Sequence, residues 1–304
     1  MQALWCTYLG GWFTLTSRYP FGTNIYEREW DALIILDACR VDALQSVAPE
    51  YEFLDTTQMG SLISVGSGSY EWLCKTFTTD YLPEIQETAH VTANGFDRDV
   101  FLHQRYAPSA SMPFGWPQDN VVTADDFKSY VPAWRYGHDE KLGNVPPRYL
   151  TDRAIETARE VDADRYVFHY AQPHTPYMSR VAEDGGAPTD VEMDPWPALR
   201  RGDLSRAEAW EMYIDNLRYV LDDVELLLEN LDAERVVISA DHGEAFGEAQ
   251  IHGHPTGVPL PDVKKVPWAV TSATDTNSYS PTPENADEST TTDVEDHLSA
   301  LGYH

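Results

Sequence analysis

Short apolar runs punctuate this chain, and their lengths separate strands from helices. Residues 30–40, WDALIILDACR, hold a continuous run of Ala, Leu and Ile bounded by charge. That is the pattern of a strand buried on both faces. RYVFHY (165–170) and RVVISA (235–240) read the same way, and ETAHVTAN (87–94) is a fourth strand candidate. Between them, residues 206–231 place Trp210, Tyr213, Ile214, Leu217, Leu221, Val224, Leu228 and Leu231 at helical spacing. TDRAIETAREV supplies another helix ahead of the second strand. Strands alternating with helices predict an α/β fold built on a parallel sheet. Ligands of such sheets gather beyond the carboxyl ends of the strands. Asp37, His174, Asp241 and His242 all fall at or just past such ends.

The remaining segments set the boundaries. Residues 1–273 read as one catalytic α/β domain. Within it, residues 96–147 are irregular and rich in Pro, Trp, Tyr and Phe, the signature of a lid-like insertion. Its Trp116, together with Trp134 and Tyr136, could face a sugar or glycerol, core packing being the alternative use. Residues 274–293 read as an acidic polar linker, and residues 294–304 as a terminal helix docking through Leu298, Leu301 and Tyr303. The apolar N-terminus carries no basic residue before Arg18 and is too interrupted to span a bilayer. It reads as a packed edge ahead of a membrane or partner contact. A cytoplasmic protein without a transmembrane segment is the expectation.

Charge narrows the partners. Fifty acidic residues face 21 basic ones among 304 residues, a net charge of −29. Such a surface repels nucleic acid and anionic lipid. The acids are scattered, which fits a salt-rich cell where screening relieves self-repulsion. Three cysteines, Cys6, Cys39 and Cys74, have no framework spacing and fit a reducing interior.

Chemistry concentrates at four places. Asp37 ends the first strand and Asp241-His242 follows the last. Alone, Asp37 would read as a helix cap; with the other two it makes a hard-to-borderline divalent site. SVGSGSYEWLCKTF (64–77) is a Gly/Ser turn opening into an apolar helix, with Ser69 as its N-cap and Trp72 and Phe77 facing the core. Ser67 then sits where free backbone N–H groups favour an anion. A hydroxyl there, touching a metal, can ionise and attack phosphorus or sulfur. In HYAQPHTPY (169–177), two prolines hold His174 past a strand end, where an imidazole can donate a proton or bind an oxyanion; His169 reads as structural. In IHGHPTGVPL (251–260), His254 is favoured over His252 to swing back to the site.

Taken in order, IILDACRVD, SVGSGSYEW, FHYAQPHTPY, a long helix, VVISADHGE and a downstream His-Gly-His resemble the alkaline phosphatase superfamily, in its sulfatase and lipoteichoic-acid-synthase-like branch. The matching elements span residues 31 to about 260. The resemblance implies a doubly wound, mostly parallel sheet with helices on both faces. It also implies one divalent ion (Mn, Ca, Mg or Zn) held by Asp37, Asp241 and His242 with the nucleophile's hydroxyl, a hydroxyl nucleophile near residue 70, and His174 at the substrate or leaving group. Matching the Glu71-Trp72 pair to the family ranks Ser67 first as nucleophile and metal contact, and Ser69 second. Two-metal members carry an Asp four residues before their His; here that position is Tyr170. The Cys-x-Pro-x-Arg sequence of formylglycine sulfatases is missing, and Ala38 follows Asp37 where classical sulfatases have a second acid.

The expected activity is therefore a metal-dependent, serine-based hydrolase or transferase, with His174 or His254 protonating the leaving group. The substrate class is a phosphate or sulfate ester of a small molecule, glycan or lipid. A non-catalytic relative that binds metal or anion is the alternative, and a phosphoglycerate-mutase-like isomerase is set aside for lack of a second ligand set.

Overall fold

The computed structural model describes residues 2–16, 19–105 and 120–282. Seven strands form one sheet: β1 (Ala32–Asp37), β2 (Gly60–Ile63), β3 (Thr88–Thr92), β4 (Ser129–Pro132), β5 (Arg165–Pro173), β6 (Ala233–Ser239) and, last in the chain, the strand Lys265–Ala273. Between β6 and that last strand lie two short strands, β7 (Ala245–Phe246) and β8 (His252–Gly253), which pair with each other, so the last is β9. The order across the sheet is β2-β9-β6-β1-β5-β3-β4. β6, β1, β5, β3 and β4 run parallel; β9 is antiparallel to both β6 and β2. The α/β architecture with a mostly parallel sheet is as expected.

Strand β1 shows why the apolar run is unbroken. All six of its residues are buried. Ala32, Ile34 and Leu36 join a core with the helix Arg206–Leu228, while Leu33 and Ile35 join a second core beneath Trp72, Leu73 and Phe77. Successive side chains point to opposite faces, and both faces are covered. A strand with a wet face would alternate instead. The long helix is anchored by a reciprocal cap, with Ser205 and Glu208 each bonding the other's backbone N–H. Tyr213, Ile214, Leu217, Leu221, Val224 and Leu228 are buried as the spacing required.

The segment 96–147 is only partly irregular. Ser129–Pro132 pairs with β3 and forms the sheet edge, and Val121, Val122 and Phe127 are core residues. Trp134 is buried in the core, so packing is its use; Trp116 lies outside the described residues. Residues 274–282 have no regular structure but are tied down: Arg159 grips Asp275 and the Tyr279 carbonyl. The rest of the expected linker and the terminal helix with Leu298, Leu301 and Tyr303 lie outside the described residues.

At the N-terminus, α1 (Gln2–Thr16) buries Leu9 and Phe13 and leaves Leu4, Trp5 and Leu15 exposed. No helix among the described residues is long and apolar enough to cross a membrane.

Candidate active site

The carboxyl ends of β6, β1, β5 and β3 converge. β1 delivers Asp37 as its last residue, and Asp241 and His242 follow β6. Their donor atoms lie within 4.8 Å of one another, and all three residues are buried. His242 Nε2 stands 3.4 Å from Asp37 Oδ1 and 3.4 Å from Asp241 Oδ2. The turn after β1 is bent sharply: Ala38 takes φ 63°, a region costly for a residue with a Cβ. It is held there from two sides. The Ala38 N–H donates to Asp241 Oδ1 and its carbonyl accepts from the Tyr213 hydroxyl.

One oxygen of each carboxylate is engaged and the other is not. Asp241 Oδ1 accepts the Ala38 and His242 amides. Asp37 Oδ2 accepts Asn94 Nδ2 at 2.9 Å. Asp37 Oδ1 and Asp241 Oδ2 are buried with no hydrogen-bond partner, an arrangement native proteins avoid unless something else satisfies the atom. His242 Nδ1 lies 2.8 Å from the Gly243 carbonyl, so a proton on Nδ1 leaves Nε2 as a lone pair facing the same two oxygens. Two carboxylate oxygens and an imidazole nitrogen are a donor set that fits a divalent cation. With no cation, His242 must answer the negative charge. Burial alone would lower its pKa, yet Asp241 and Asp37 push it up to about 10. Burial likewise works against the Asp241 carboxylate, but His242 and His169 hold it well below the usual range.

The helix α3 (Ser69–Thr76) opens beside this group. Its N-cap is Gly68, not Ser69 as expected; Ser69 is the first helical residue and makes no capping bond. Its side chain is free to point at the acids instead. Ser69 Oγ lies 3.3 Å from Asp37 Oδ2 and 3.3 Å from His242 Nε2. Ser67, ranked first from the sequence, is placed differently. It is fully buried, its hydroxyl donates to Glu71 Oε2 at 2.7 Å, and it accepts the Gly257 N–H at 2.7 Å. The turn into α3 faces Ser67 toward the protein and Ser69 toward the strand ends. Ser67 is thus not among the groups that meet Asp37, Asp241 and His242, which corrects its expected place.

On the open side, the ring of His254 lies 4.2 Å from that of His242 and 5.0 Å from that of His174. His254 Nδ1 is 3.0 Å from Glu244 Oε1. Burial lowers the His254 pKa, and His242 and His174 add to this while Glu244 opposes it. His174 Nδ1 meets the Thr175 carbonyl at 2.7 Å, and its backbone N–H is bonded to the Asp37 carbonyl. His174, Glu244 and His254 form a second group of closely spaced donors, though its side-chain atoms leave no buried orphan.

Four residues at the site had no role assigned from sequence. Asn94, just past β3, orients Asp37. Glu244 orients His254. His169, read as structural, lies 3.6 Å from Asp241 Oδ2. Glu71 holds Ser67. Only Glu244 had a local signal, as the last residue of Asp-His-Gly-Glu; the others reach the site through strand pairing and helix placement.

No protein-family model and no curated protein matches the chain. Among solved structures it is similar to the soluble domain of lipooligosaccharide phosphoethanolamine transferase A from Neisseria meningitidis, at 15% identity over 78% of this chain and 75% of that one, with a TM-score of 0.47. It is also similar to the periplasmic domain of phosphoethanolamine transferase EptC from Campylobacter jejuni, at 13% identity over 90% and 87% of the two chains and a TM-score of 0.45. BT4656, solved with its substrate D-glucosamine-2-N,6-O-disulfate, matches at 11% identity over 90% of this chain and 77% of that one, with a TM-score of 0.45. These likenesses concern the fold, and it is the alkaline phosphatase and sulfatase type of α/β sheet that the strand-end motifs led us to expect.

Proposed function

We propose that this protein is a cation-dependent enzyme that transfers or hydrolyses phosphate or sulfate esters, with Ser69 as the nucleophile. One observation carries the reading: a serine hydroxyl on the first turn of a helix lies 3.3 Å from both a carboxylate and an imidazole, beside two buried carboxylate oxygens that have no partner. Asp37, Asp241 and His242 would hold the cation, which supplies a lowered pKa at the neighbouring hydroxyl and withdraws charge from the ester oxygens.

The chain's own residues do the rest. Asp37 Oδ2, fixed by Asn94, accepts the Ser69 proton and aims Oγ outward. The N–H groups at the start of α3 face the anionic ester. Attack by Oγ joins the phosphoryl or sulfuryl group to Ser69 and expels the alkoxide. His254, oriented by Glu244, delivers a proton from Nε2 to that alkoxide, with His174 beside it to contact the ester. Water then releases the group as a hydrolase, or an acceptor alcohol takes it as a transferase. Small-molecule, glycan or lipid esters are the substrate class.

The test is a brief acid quench of protein incubated with Mn²⁺ and a nitrophenyl phosphate or sulfate, followed by peptide mapping. A phosphorylated or sulfated Ser69 peptide supports the reading. Turnover with no adduct at Ser69, or no turnover with either ester class, sinks it in favour of a binding protein.

A further inference from the structure

A polar knot lies buried under the start of α3. Glu71 is fully buried, yet its carboxylate collects four donors. Oε2 accepts the Ser67 N–H at 2.8 Å and the Ser67 hydroxyl at 2.7 Å. Oε1 accepts Trp12 Nε1 at 2.7 Å and Lys75 Nζ at 2.5 Å. A second ammonium, Lys264 Nζ, is buried nearby without a hydrogen-bond partner, and Glu71 is the charge that attracts it. An anion with this many donors and cations is held in one place, since each lost contact would leave a buried charge uncompensated.

The knot reaches both reacting groups. The Ser67 hydroxyl that donates to Glu71 also accepts the Gly257 N–H. Ser69 is two residues beyond Ser67 on one arm, and His254 is three residues before Gly257 on the other. A third tie runs to the cation side, where the Ser64 hydroxyl donates to the Asp241 carbonyl. The close crossing requires Gly66: a Cβ there would sit 2.5 Å from the Trp72 backbone nitrogen. A hydroxyl with both its donor and acceptor capacity committed makes a poor nucleophile but a good bridge.

We propose that Ser67 and Glu71 are positioning residues. Glu71 clamps Ser67, and Ser67 bridges the turn before α3 to the loop of His254, so that the Ser69 hydroxyl and the His254 imidazole are held on one frame. The proposal rests on Ser69 being the attacking group. Catalysis is steep in such placement, with a shift of about 1 Å costing roughly 10²-fold in rate.

Two measurements test it. In the first, Ser67→Ala and Glu71→Gln are compared with wild type for the rate of Ser69 adduct formation from nitrophenyl phosphate or sulfate with Mn²⁺. The expected result is a fall in kcat of about 10²-fold with KM nearly unchanged, measured well below each melting temperature. A residue that merely supports the fold would lower the melting temperature without separating kcat from KM. Glu71→Gln leaves two ammonium groups uncompensated; should it not fold, Ser67→Ala decides. The second measurement needs no turnover. Ser69→Cys protein is titrated with Cd²⁺ and the thiolate-to-cadmium absorbance is read. Adding Ser67→Ala should weaken that band, while Ser67→Ala with Ser69 intact binds Cd²⁺ as wild type does. An adduct on Ser67, or a rate and a thiolate band both unchanged by Ser67→Ala, overturns the proposal. If wild type forms no adduct with any ester, the proposed function fails, and the cadmium band alone still decides whether Ser67 positions residue 69.

Discussion

The hydroxyl of Ser69 stands 3.3 Å from Nε2 of His242 although 173 residues separate them. The helix that carries the serine packs under the sheet, and the strand that carries the histidine ends at its centre. Replacing Ser69 by Ala removes the hydroxyl and nothing that supports α3, since Ser69 makes no cap. Turnover of nitrophenyl esters should fall roughly 10³-fold or more, the adduct should vanish, and the melting temperature should hold.

Asp241→Asn tests the cation site. The variant keeps Oδ1, which accepts the Ala38 and His242 amides. It turns the orphaned Oδ2 into an amide, which cannot ligate as a carboxylate does. Calorimetric Mn²⁺ affinity should drop by at least about 10²-fold, and turnover with it, while circular dichroism stays that of the folded protein. An Asn variant that binds Mn²⁺ like wild type would show that the two unpartnered oxygens serve some other purpose.

Leaving-group dependence isolates His254. Its partner Glu244 lies 3.0 Å away on the side remote from the ester. His254→Gln should slow an alkyl ester by about 10² to 10⁴-fold. A nitrophenyl ester, whose leaving group needs no proton, should be much less affected. Equal loss on both esters would assign His254 to binding rather than acid catalysis.

The sheet also stores an electrostatic cost away from the chemistry. Asp97 is fully buried among Thr92, Tyr130 and Trp134, and burial pushes its carboxyl from 3.8 up to about 7. Between pH 3.8 and about 7 the folded state binds a proton that the unfolded state has released. Stability from this group therefore falls as pH rises through that window and stays low above it. Asp97→Asn should leave stability near pH 4 almost unchanged. At pH 8 it should raise stability by roughly 4 kcal/mol as an upper bound, read by denaturant melts at both pH values.

Net charge sets the last expectation. With −29 spread over the chain, self-repulsion opposes the compact state and salt screens it. The melting temperature should climb with added KCl from tens of millimolar toward molar concentrations. A flat or falling curve would remove the case for a salt-adapted surface.

Local pattern was enough for the frame. An apolar run that ends in Asp37, another that ends before Asp241-His242, and a helix face repeating every three or four residues each follow from short-range chemistry, and the sheet forms as those runs require. Local pattern also put His174 and His254 past strand ends. It could not choose between Ser67 and Ser69. The two differ by two positions in one turn, and only the path of the chain into α3 turns one toward Glu71 and Gly257 and the other toward Asp37 and His242. Nor could it find Asn94, His169, Glu71 or the edge strand Ser129–Pro132. Their partners lie tens to nearly two hundred residues away along the chain, and a contact made by folding leaves no mark on the residues beside it in sequence.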